Sequence, residues 1–110
     1  MPTYTVIAAS PAVGSNILDD ETWSKVKNTC RIVAMGVTGG TLHALHIEVY
    51  YGQEKIADLY NNAAANSPGH ADNRHWISSN KRCVRGDSIN VEVVAAGAET
   101  YYLWFDIKEG

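Results

Sequence analysis

The sequence predicts an all-β domain: a single antiparallel β-sandwich, jelly-roll-like, of about seven or eight strands. Three observations carry this. Apolar and polar residues alternate with a period of two from end to end, and no long stretch holds a helical period. Gly, Asn, Asp and Ser punctuate the alternating runs at short intervals. The length of 110 residues allows one domain (1–110) with one core, burying about 65% of the surface that the unfolded chain exposes. Residues 1–15 read as an extended N-terminal arm on that domain.

The first strand is expected at residues 4–9, followed by a polar, turn-rich stretch to residue 28. Within that stretch the acids Asp19, Asp20 and Glu21 before Trp23 suit one short helical turn. Residues 30–37 are the next strand, closed by Thr38-Gly39-Gly40. A long strand over 41–51 meets 54–60 across Gly52-Gln53, which is hairpin spacing. Residues 61–72 hold no large apolar side chain and should form a surface loop. Short strands over 73–78 and 81–84, then longer ones over 89–95 and 99–108, complete the set.

Alternation also assigns faces. Leu45, Ile47 and Val49 should be core, as should Ile89, Val91 and Val93, and Tyr101, Leu103, Phe105 and Ile107. That leaves Tyr102, Trp104, Asp106 and Lys108 pointing outward. An outward Tyr and Trp are unusual on a solvated sheet. Three explanations stand open: burial beneath residues 10–28 with Trp23, an interface with another chain, or a stacking platform for sugar rings made of Tyr102, Trp104, Trp76 and Tyr60.

Composition narrows the function. Nine Lys and Arg against twelve Asp and Glu, with no basic cluster beyond Lys81, Arg82 and Arg85, do not make a nucleic-acid groove. No apolar run is long enough to span a bilayer, and the first ten residues lack the charge and hydropathy pattern of a signal peptide, so the reading starts the mature protein at or just after Met1. His43 and His46, three apart on an expected strand, should face opposite sides and cannot share a metal. His70, Asp72 and His75 lack a diagnostic ligand spacing. Arg85-Gly86-Asp87 is ordinary turn chemistry before a strand. Neither Val13-Gly14-Ser15 nor Thr38-Gly39-Gly40 has the spacing of a phosphate loop, and no nucleophile elbow is present. The expectation is a non-enzyme with no metal and no cofactor. Cys30 and Cys83 read as buried thiols, with a disulfide open should their strands prove to be neighbours.

From Glu21-Thr22-Trp23 through the strand around Arg31 to Val37, the strand through Leu45 to Val49, the segment Val84 to Val91 and the aromatic closing strand, the order of features resembles small jelly-roll virion proteins. These are the capsid decoration (cement) and minor capsid proteins of tailed phages and related viruses. The resemblance implies a structural protein that assembles in a host cytoplasm into a virion, as a homo-oligomer such as a trimer, and docks on capsid protein. It implies no catalytic residue. A carbohydrate-binding module is the alternative.

Overall fold

The computed structural model describes residues 3–19, 21–41, 43–61, 75–77 and 79–109. It is all-β, and the described residues form seven strands: β1 Thr3–Ala9, β2 Cys30–Thr38, β3 His46–Tyr51, β4 Glu54–Tyr60, β5 His75–Trp76, β6 Ile89–Ala95 and β7 Thr100–Glu109. A 3-10 turn, Thr22–Ser24, follows the expected acidic stretch. The strands form two antiparallel sheets, one in the order β1-β7-β2-β5 and the other β4-β3-β6.

Period-two alternation places the core. Val6, Ala8, Ile32, Tyr101, Leu103, Phe105 and Ile107 from the first sheet join Ile47, Val49, Ile89, Val91 and Val93 from the second in one buried cluster. A bulge in β2 between Ile32 and Ala34 shifts the pairing with β7, so that Ile32 faces inward beside Ile107 and Ala34 faces outward beside Asp106. Trp23 closes one end of the cluster. Its ring stacks on Tyr4 (4.5 Å between centroids, 8° between planes) and tilts against Phe105 (5.3 Å).

Between β1 and β2 the chain crosses to the second sheet. There residues 14–17 run antiparallel to β6: Gly14 N–H donates to the Val93 carbonyl (2.7 Å), Ile17 N–H to Val91 (2.9 Å), and Val93 N–H returns to Ser15 (3.0 Å). Asn16 pins this crossing. Its Oδ1 accepts from the Leu18 and Val91 amides (3.1 and 2.9 Å), and its Nδ2 donates to Asn90 Oδ1 (3.0 Å).

The expected long strand over 41–51 is shorter in the fold, starting at His46. Buried Asn61 explains why. Its side-chain amide donates to the carbonyls of Gly39 and Thr41 (2.8 Å each) and its oxygen accepts from Leu45 N–H (3.0 Å), taking over the groups that a strand partner would use. His43, in that turn, adopts a left-handed φ of 63°. The run 81–84 supplies a bridge between Cys83 and Cys30, and among the described residues of 73–78, His75–Trp76 pairs as a strand. The remainder of the expected loop, 62–72, lies outside the described residues.

Candidate functional site

The outer face of the first sheet can be laid out row by row from its register. Thr3, Asp106, Ala34 and Trp76 form one row; Thr5, Trp104 and Gly36 the next; Ile7, Tyr102 and Thr38 the third. Asp106 is the only carboxylate in these rows, and Thr3 Oγ1 donates to it at 2.6 Å. The rest is Thr, Ala, Gly, Ile and aromatic. At its two sides Ile7 and Trp76 stand 65% and 67% exposed. The next outer row, Arg31 with Lys108, is cationic, so the apolar character is confined to these three rows, where exposed Ile7 and Trp76 suit the margin of a contact surface.

For Trp104 the structure answers with one of the three open explanations, burial within its own domain. Trp104 is on the outer face, as alternation requires, yet it is fully buried. Across the strand pair Gly36 has no side chain, and the indole lies over it so closely that a Cβ there would come within 3 Å of Nε1, Cε2 and Cζ2; this seats one side of the ring, and because Ala34 and Thr38 beside it are also fully buried, the middle of this face is covered within the chain. Trp23 is not its cover, since Trp23 packs on the inner-face residues Tyr4 and Phe105. Tyr102 is half-buried, and Asp106 is buried as well.

Trp76, Tyr102 and Trp104 thus share a face, but Tyr60 does not join them. It sits on β4 of the other sheet, stacked on His46 (4.3 Å, 13°). A continuous aromatic platform of those four is not built. His43 and His46 were expected to face apart; instead both rings contact Tyr60, His43 edge-on at 6.1 Å, because His43 precedes the strand and its left-handed backbone turns it back. His46 Nε2 pairs with Asp58. Among the described residues no group of three His, Cys, Asp or Glu is arranged to hold a metal ion. His70 and Asp72 lie outside the described residues, and His75 is described only through its backbone pairing with Met35.

The outer face of the second sheet is polar in contrast. Glu48 stands opposite Asp58 on one side and Glu92 on the other. Lys55 bridges Glu48 and Asp58, and its ammonium holds both carboxyls below their ordinary range. Beside them is an open depression of about 450 Å³ lined by Asn16, Tyr50, Gln53, Asn90 and Glu92. Its amides are largely spent on the fold: Asn16 on residues 18, 90 and 91, and Asn90 Nδ2 on the Gly52 carbonyl (3.1 Å). A second cleft, of about 270 Å³, opens beside Trp23, Lys25, Lys27 and Glu109.

Cys30 and Cys83 are bridge neighbours, each donating its amide to the other's carbonyl (3.0 and 2.8 Å). Both thiols are free and buried, and desolvation pushes the Cys83 pKa up to about 12. In Arg85-Gly86-Asp87, Gly86 (φ 96°) donates to the Val26 carbonyl, which makes the segment a structural turn against residues 25–26.

Three residues that matter here gave weak signals or none in the sequence. Asn16 and Asn61 looked like ordinary polar turn residues. Gly36 did give a sign: a glycine inside a strand pattern marks a close approach. Compared with protein-family models, curated proteins and solved structures, the chain matches none.

Proposed function

We propose that this chain is a structural protein of the virion type, a capsid decoration or minor capsid component without catalysis of its own, which oligomerises or docks through the outer face of the β1-β7-β2-β5 sheet. The observation that carries the reading is the margin of that face, where Ile7 and Trp76 stand exposed on either side of half-buried Tyr102.

The finer fold reading is a two-layer jelly roll. Residues 14–17, counted as a strand between β1 and β2, make eight. Pairing then runs first with last (β1 with β7), second with next-to-last (residues 14–17 with β6), third with sixth (β2 with β5) and fourth with fifth (β3 with β4). This is one long hairpin folded over on itself, the plan of jelly-roll capsid and lectin domains.

Sizing by multi-angle light scattering, with co-sedimentation against capsids from the producing system, tests the proposal. A defined oligomer or capsid-bound protein is expected; a monomer that binds no capsid would overturn it. A carbohydrate-binding module is the second reading, favoured by the depression with Tyr50, Gln53 and Glu92. Binding on a glycan array that is lost in Tyr50→Ala would move the assignment there.

A further inference from the structure

We infer that β1 is a self-association edge, pairing antiparallel with β1 of a second copy to join two four-stranded sheets into one; this rests on the structural reading above. A bare edge strand offers unpaired N–H and C=O groups to any other strand, and proteins guard such edges with charges, shortness or a covering segment. Among the described residues, β4 is guarded by Glu54, Lys55 and Asp58, and β5 is only two residues long. The outer edge of β6 is covered by residues 14–17. β1, Thr3-Tyr-Thr-Val-Ile-Ala-Ala9, carries no charge and no proline, and among the described residues it has no neighbour beyond β7.

Register tells which groups are free. Ser10 N–H donates to the Glu99 carbonyl (2.8 Å), continuing the pairing of Ala9 with Thr100. In an antiparallel pair the bonded positions alternate. Tyr4, Val6 and Ala8 therefore bond β7, while Thr3, Thr5, Ile7 and Ala9 aim their amides and carbonyls at the open edge.

Those four positions are self-complementary. A two-fold axis at Val6 pairs Thr3 with Ala9 and Thr5 with Ile7 of the other copy, giving about eight interstrand hydrogen bonds. On the outer face Thr5 lies beside the partner's Ile7, a β-branched pair of the kind that stabilises sheets. Val6 meets Val6 on the inner face. The joined sheet also makes the two outer aromatic faces continuous. A second copy is the occupant that fits best because an uncharged strand has no like-charge penalty against itself and no charge with which to select a foreign one.

The test uses the whole protein and two variants. Thr5→Pro deletes an edge-facing N–H without touching a bond to β7, and Ile7→Lys puts a charge on the edge while leaving every hydrogen bond in place. Either change should weaken self-association by about tenfold or more with unchanged far-UV circular dichroism, and amide exchange at residues 3, 5, 7 and 9 should accelerate. Should Thr5→Pro misfold, Ile7→Lys alone decides. An oligomer unaffected by a folded variant overturns the β1 edge but leaves the structural reading standing. A wild-type monomer with freely exchanging β1 amides overturns the pairing and removes the homo-oligomer from the functional proposal too.

Discussion

Replacing Gly36 by alanine adds one methyl group where the first sheet has no room for it. The new Cβ would lie within 3 Å of three indole atoms of Trp104, meeting the body of the ring rather than a flexible tip. Trp104 is fully buried, so a shift of a few tenths of an ångström cannot relieve the overlap and the indole has to leave its seat. Losing the burial of an indole costs about 3–5 kcal/mol. Alanine recovers about 0.5–1 kcal/mol over glycine in a strand. The net destabilisation is about 2–4 kcal/mol, which for a domain of this size lowers Tm by about 8–16 °C. Calorimetry measures the shift. Tryptophan emission should also move to the red, since Trp104 is fully buried while Trp23 is half-buried and Trp76 exposed. In a Trp104→Ala background the same glycine change should cost almost nothing. A Gly36→Ala protein with unaltered Tm and emission would refute this packing.

Asn61→Ala leaves the Gly39 and Thr41 carbonyls and the Leu45 amide without their side-chain partner, and denaturant titration should show a loss of about 3 kcal/mol. Above pH 9 the folded chain still holds protons on Cys83 and Tyr51, whose pKa values burial pushes up to about 12, while the unfolded chain releases them near 9.0 and 10.0. The native state binds more protons in that window, so stability is full below it and should fall as pH rises through it; melts between neutral and alkaline pH that stay level would contradict this. Refolding in oxidised glutathione should join Cys30 to Cys83, because hydrogen-bonded bridge partners lie about 5.5 Å apart at Cα, within disulfide range. That bond would raise stability by about 4 kcal/mol in the chain-entropy account, and persistent free thiols after such refolding would show that the two segments are not neighbours.

The parts of the fold legible in the sequence are those in which one face is buried. β6 and β7 alternate cleanly, so their limits and core faces could be read to within a residue or so. The 41–45 stretch misled because alternation continues into a turn held by Asn61, a contact 16 residues away that no local pattern encodes. Residues 14–17 looked like loop because their strand character consists of backbone bonds to β6, not of apolar side chains. The aromatic outer face was legible from the alternation of Tyr102 and Trp104. Burial of Trp104 was among the readings open from the sequence, but its seat over Gly36 was not, since that depends on β2 placing the glycine opposite it after a bulge. Likewise the open edge of β1 needs the strand order, which alternation does not contain.

Whether the aromatic face and the uncharged β1 edge of the first sheet are contact surfaces decides the functional reading. Sedimentation equilibrium of the purified wild-type chain over a wide concentration range is the most direct measurement. A reversible dimer or higher closed oligomer, dissociated by Ile7→Lys, is the expected result. A monomer at every concentration, indifferent to that substitution, would contradict it.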